Sequence, residues 1–119
     1  MVDTTNELSV DDLAIASIVE QATLQVRGVN SFSTRFYDSV VDEISRPFGI
    51  QRTPGITIKH KKEGLSLHLY LIVDLERNMV ELGKEVQQEV YRALQNTFAI
   101  EAFAIHVRIE GIVTPGEVN

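Results

Sequence analysis

Three histidines, His60, His68 and His106, are the side chains that first suggest chemistry, because imidazole is the commonest metal ligand in proteins. His68 and His106, joined by a carboxylate from Asp74 or Glu110, would supply the residue types of a zinc site. The spacing forms no metal motif, however, since the sequence contains no HExxH, no His-x-His and no cysteine. The sequence therefore predicts no metal site, and the histidines are interpreted as half-exposed strand residues.

Nucleophilic catalysis requires a nucleophile held by a base that is itself oriented by a third group. The serines of this chain fall at expected helix caps, in a strand and in turns, and no GxSxG motif occurs. Neither GxGxxG nor GxxxxGK[ST] is present, so no loop is suited to binding nucleotide phosphates. We therefore expect no catalytic residues, no cofactor and no enzymatic activity.

One basic cluster, Lys59–Lys62, raises the possibility of nucleic-acid binding, and Arg27, Arg35, Arg46 and Arg52 precede it. A small α+β domain with such a loop could bind RNA in the manner of a KH-like module, which is the alternative function. Against it stand the net charge of −6, the absence of a GxxG loop and the absence of an aromatic pair for base stacking. The simpler interpretation is a hairpin tip whose lysines prevent edge pairing.

Composition predicts one globular domain, because hydrophobic residues make up 44% and charged residues 24% of a chain of 119 residues. We assign residues 1–119 to this domain, with flexible tails at 1–8 and 113–119. Residues 1–26 hold five acids and no Lys or Arg, residues 27–62 hold seven bases against three acids, and the remainder holds nine acids against four bases. This segregation of charge along the sequence favours a homo-oligomer. The alternative interpretation is an ordinary solvated surface that carries charges of both signs.

The chain contains no membrane-spanning segment, because no apolar run approaches the roughly 18 residues that one needs. The first residues, MVDTTNELSVDD, are acidic and polar and so do not resemble a signal peptide. We expect a cytoplasmic protein that reaches a membrane, if at all, peripherally and through a partner.

Hydrophobic periodicity and capping residues divide the chain into seven elements. The expected elements are a helix at 10–27, a strand at 29–32, a helix at 34–45, a hairpin of strands at 56–61 and 65–75, a helix at 78–98 and a strand at 103–110. The β-hairpin gives antiparallel strands, and the helical crossover to the last strand favours a parallel, right-handed return. The order α-β-α-β-β-α-β predicts an α+β two-layer sandwich, in which helices pack on a small mixed sheet.

The stretch LSLHLYLIVDL, residues 65–75, alternates across its strand and so defines two faces of the sheet. The leucine face carries Leu65, Leu67, Leu69, Leu71, Val73 and Leu75, and must be buried. The opposite face, called the second face, carries His68, Tyr70 and Ile72 of this strand together with His106 and Arg108 of the last strand.

The second face is predicted to be a protein-docking surface, since Tyr and Arg are enriched at the centres of interfaces. The alternative is that residues 34–45 fold across this face and cover it with Phe36, Val40 and Ile44. The sequence leaves both arrangements open.

Four motifs follow one another in residues 55–112: the strand Gly55–Ile58, the alternating strand Leu65–Val73, the helical VQQEV of 86–90 and the closing IHVRIEGI of 105–112. In this order they resemble the alkaline shock protein family of Gram-positive bacteria, as does an N-terminal helix followed by Gly28 and Val29. The resemblance implies a non-enzymatic cytoplasmic protein of the cell-envelope stress response. It also implies self-association, contact with the membrane through a membrane-anchored protein, and no catalytic residues.

Overall fold

The computed structural model describes residues 10–34, 54–74, 76–98 and 102–114. Its elements are helix α1 (Val10–Leu24), strands β1 (Val29–Phe32), β2 (Ile56–Lys61) and β3 (Gly64–Asp74), helix α2 (Met79–Phe98) and strand β4 (Ala102–Val113). The helix predicted at 34–45 lies outside the described residues except for its first position. The remaining elements occur where the sequence predicts them, and the protein is an α+β fold.

Strand β3 is the centre of the sheet. Antiparallel β2 pairs with its first half, from Ile56 opposite Leu69 onward, and antiparallel β1 pairs with its second half, from Val29 opposite Val73. The junction is Tyr70, whose N–H donates to the Gly55 carbonyl while its own carbonyl accepts from the Ser33 N–H, both at 2.8 Å. Because the N–H and C=O of one strand residue point to the same side, β1 and β2 lie end to end along one edge of β3.

The other edge of β3 pairs with β4, and this pairing is parallel, from Leu65 opposite Ala102 to Asp74 opposite Val113. Helix α2 makes the crossover between the two strands, as parallel neighbours require. The sheet is therefore mixed, as the sequence predicts, with β3 between β4 on one side and the β1 and β2 pair on the other.

Both described helices pack on the leucine face. Leu67, Leu69, Leu71 and Val73 are completely buried there. The core also contains Ile15 and Val19 of α1, and Val26 just beyond the end of that helix. From α2 it contains Leu82, Val86, Val90 and Leu94. The helical period of hydrophobic residues predicts that Val86 and Val90 face the leucines, and both lie in the core. Burial of this apolar surface provides the main stabilisation of the fold, at roughly 25 cal/mol per Å² removed from water.

Helix α2 begins at the capping residue that the sequence predicts. The Asn78 side-chain oxygen accepts a hydrogen bond from the Glu81 N–H at 3.0 Å, so one of the unsatisfied donors of the first turn has a partner. The helical period of hydrophobic residues predicts that Met79 is also on the buried side of α2, but Met79 is exposed.

Two element ends differ from the predictions. Helix α1 stops at Leu24 rather than near residue 27, because a turn with Gly28 at φ +103° leads directly into β1. Strand β4 continues through Gly111 to Val113 instead of ending near residue 110. The register shifts between Leu71 and Ile72, so that β4 has one extra residue there and can continue along β3.

Candidate functional site

The strand register gathers the five predicted docking residues on the second face, opposite the side that α1 and α2 cover. His68 of β3 lies beside His106 of β4, and Tyr70 lies beside Arg108 in the next row of the same face. Ile72 follows and lies beside Gly111. The sequence prediction that these side chains share one surface agrees with this register.

The two histidines form a stacked pair. Their ring centroids are 4.5 Å apart and the ring planes differ by 17°, so the imidazoles lie nearly parallel across the β3–β4 boundary. His68 Nε2 also lies 3.5 Å from the Ser66 hydroxyl, which is fully buried. Burial lowers the pKa of His68 from 6.5, and the charges of His106, Lys59 and Lys61 lower it further. Burial and these charges therefore favour neutral His68 at neutral pH.

Lys59 and Lys61 belong to this surface as well, although neither is among the five predicted docking residues. In the β2–β3 hairpin, Lys59 lies opposite Ser66 and Lys61 opposite Gly64, so both share the parity of His68. The signal was present in the sequence, because a two-residue turn at Lys62 and Glu63 fixes this register. With these lysines, the second face has a basic end beside the hairpin.

Arg108 extends the positive surface along β4. Its side chain is 70% exposed, and its Nε atom lies 2.9 Å from the Glu110 carboxylate, whose side chain is almost wholly buried. Glu110 is the extra residue of the β4 bulge and lies between the residues that pair with Leu71 and Ile72. Glu110 thus restrains the Nε end of the guanidinium group, while most of the Arg108 side chain remains accessible to solvent.

The histidines do not gather into a metal centre within the described ranges. His60 has the opposite parity from Lys59 and Lys61, lies on the leucine side of β2, and its Nε2 is 2.9 Å from the buried Asp12 carboxylate of α1. His68 and His106 are joined by no third potential ligand among the residues that the structure describes. Lysines beside His68 also make the local field unfavourable for a cation. The arrangement is better suited to anionic or hydrogen-bonding groups.

Burial is uneven over the second face. His106 and Arg108 are exposed, whereas His68, Tyr70 and Ile72 are half-buried. The predicted cover of this face by residues 34–45, including Phe36, Val40 and Ile44, falls outside the described residues, so both arrangements proposed from the sequence remain open. What is established is that neither α1 nor α2 covers the five residues.

These features define a class of protein: an α+β domain with a helix layer on one side of a mixed sheet and a positively charged second face. A family model for the alkaline shock proteins, described by its "cell envelope-related function", matches residues 1–114. The chain belongs to this family, as its motifs suggest, and its function is related to the cell envelope. None of the described helices is long and apolar enough to cross a membrane.

Solved structures give a similar fold at low sequence identity. The chain is similar to MamM CTD in its copper form, with a TM-score of 0.54, 16% identity and coverage of 90% of this chain and 91% of that chain. It is also similar to MamM V260R, with a TM-score of 0.52, 14% identity and coverage of 93% and 95%. At such identities the likeness concerns the fold alone. No curated protein matches the sequence.

Proposed function

We propose that this protein is a non-enzymatic component of the cell-envelope stress response that works in the cytoplasm through self-association and through protein partners at the membrane. Its docking surface is the second face, formed by His68, Tyr70, Ile72, His106 and Arg108. The observation that carries the proposal is the position of these residues in adjacent rows on the side that neither described helix covers. Membership in a family with an envelope-related function supports it.

The chemistry of the second face fits protein recognition. Tyr70 and Arg108 lie side by side, and these two residue types are over-represented among the residues that contribute most to binding. Ile72 adds an apolar contact at one end of the row, while Lys59 and Lys61 supply positive charge at the other. Acidic segments flank the basic middle of the sequence, so a second copy offers groups of the opposite charge.

Sedimentation of a double variant tests this surface. Tyr70→Ala combined with Arg108→Glu removes an aromatic contact and reverses a charge, so we expect a folded protein with self-association weakened at least tenfold. Denaturant unfolding measured in parallel distinguishes a lost contact between molecules from a damaged fold.

The matched control is Arg92→Glu on α2. Arg92 is also exposed and also pairs with a glutamate, Glu89, at 2.6 Å, but it lies in the helix layer. We expect its reversal to leave self-association unchanged. Equal weakening by both reversals would mean a general charge effect, and lost stability of the double variant without weaker assembly would mean intramolecular cover; either result refutes the docking surface.

A further inference from the structure

Exposed large apolar side chains are concentrated at one end of the domain. Strand β3 ends there at Asp74, and Val73 lies next to both Val29 of β1 and Ile112 of β4. Four residues separate the end of α1 from β1, and four separate β3 from the start of α2, so both helix ends lie at this same end. The exposed apolar residues located here, called the end patch, are Leu24, Met79, Val80 and Ile112.

The end patch lies at the helix side of the sheet. Ile112 pairs in register with Val73, whose side chain is buried under the helices, and so projects toward the helix layer. Val80 belongs to the first turn of α2 and is 66% exposed. Val80 is needed neither to cap the helix, which Asn78 does, nor to fill the core, which Leu82 does.

Charges of both signs surround the end patch. Arg27 is exposed in the turn after α1, and Glu76 and Glu81 are exposed on either side of the α2 cap. An anionic lipid surface would be repelled by the two carboxylates. A second copy carries both signs of charge around the same patch, so Arg27 of each molecule can pair with an acid of the other around an apolar centre.

We propose that the end patch binds the end patch of a second copy of this chain in an isologous contact. This contact is separate from the second face, and it rests on the proposed function only in that both involve self-association. A molecule with two separate contact surfaces can join neighbours at each of them, and such assemblies extend beyond a dimer unless the symmetry closes them.

A pair of leucines on α1 provides a matched test. Leu24 is 44% exposed in the end patch, and Leu13 is 40% exposed near the other end of the same helix. They are 11 positions apart, which places them on nearly the same side of α1 and about 16 Å from one another. We would compare Leu24→Ser with Leu13→Ser, and add Val80→Ser to the first, by sedimentation velocity over a wide concentration range.

We expect Leu24→Ser with Val80→Ser to raise the dissociation constant of the assembly at least tenfold, whereas Leu13→Ser leaves it unchanged. Equal effects of the two leucine substitutions, or no effect of the end-patch variant, would overturn the proposal. Lower thermal stability with unchanged association would show that the patch is covered by the same chain. Binding to vesicles containing phosphatidylglycerol that depends on the end patch would show a lipid contact. Either of these last two results would also refute the proposal.

The same measurements separate this contact from the proposed function. If both surfaces operate, the end-patch variant and the Tyr70→Ala, Arg108→Glu variant each reduce a larger assembly to a smaller one, and their combination gives a monomer. If only the end patch operates, the wild type is a dimer that the second-face variant does not dissociate. If only the second face operates, the end-patch variant behaves as wild type.

Discussion

The two faces of the sheet are built from alternate residues of the same strand and differ in nearly every property. On the leucine face, β3 contributes side chains with almost no exposed surface, packed against two helices. On the second face, the intervening residues include the half-buried His68 and Tyr70, which pair with the exposed His106 and Arg108. Stability therefore comes mainly from the leucine face, and recognition is the role that we propose for the second face.

The largest expected effect is on the leucine face. Val90 is completely buried in the core, so Val90→Asp would place an unpaired carboxylate among apolar side chains. We expect a loss of free energy of unfolding on the order of 4 kcal/mol, measured by denaturant titration. The same aspartate at exposed His106 should cost less than about 1 kcal/mol. An unchanged denaturation midpoint for Val90→Asp would mean that α2 is rotated so that Val90 faces solvent and not the core.

Alanine at two glycines sharpens the comparison between the helix side and the second face. At Gly28, φ is +103° and a Cβ would lie 2.7 Å from both Arg77 Cδ and Leu82 Cδ1, so we expect Gly28→Ala to cost about 2–3 kcal/mol. At Gly111, a Cβ would lie 2.9 Å from Ile72 Cδ1, the movable end of a flexible side chain. Gly111→Ala should cost about 1 kcal/mol or less. Thermal unfolding of both variants measures the difference, and the reverse order would contradict the assignment of packing to the two sides.

A smaller effect is expected at the α2 cap. Asn78→Ala removes the acceptor of the Glu81 N–H and should lower the free energy of unfolding by about 1 kcal/mol. Asn78→Asp keeps an acceptor at the same position and serves as the control. Because the cap belongs to the helix layer, neither change should affect contacts made by the second face. Equal stability of the alanine variant and the wild type would show that water replaces the cap without cost.

The smallest expected effect concerns protonation of the second face. The pKa of His68 is lowered from 6.5 by burial and by the charges of His106, Lys59 and Lys61. The unfolded chain therefore binds a proton at a higher pH than the folded chain does. His68 contributes nothing to pH dependence well above pH 6.5, and below it the free energy of unfolding falls until the folded imidazole is also protonated.

His68→Gln removes this contribution. Denaturant unfolding of wild type and variant at about pH 7.5 and 5.5 should show the smaller pH dependence in the variant. His60 lies on the leucine side of β2, away from the stack, and is retained in both proteins as an internal reference. An identical pH dependence in the two proteins would show that the His68 environment is the same in the folded and unfolded states.

Much of the fold could be predicted because local patterns determine it. The two-residue alternation of residues 65–73 gives the leucine face, and the 3.6-residue period of α2 gives the buried positions Leu82, Val86, Val90 and Leu94. Asn78 marks a helix start through a hydrogen bond between near neighbours. Such features depend on short stretches of chain, and these are what a sequence displays.

The contact between His68 and His106 could not be predicted in the same way. It depends on the register of two parallel strands separated by a helix, and that register shifts between Leu65 and Ser66, which pair with Ala102 and Ala104. Without this shift, His68 would pair with Ile105, and His106 would lie on the leucine face. One extra residue in β4 therefore decides the pairing, and no local pattern in the sequence reveals it.

The position of β4 in the chain has a consequence for biosynthesis. The strand leaves the ribosome last among the described elements, yet it is the neighbour of β3 along nearly its whole length. At about 5–20 residues per second, the interval between synthesis of residue 74 and residue 113 is roughly two to eight seconds. During that time β3 has no partner at one edge, and until residue 98 is made the leucines lack a complete α2 above them. The nascent chain is then most exposed to aggregation and to chaperones, and a ribosome that pauses within residues 79–113 would lengthen this period.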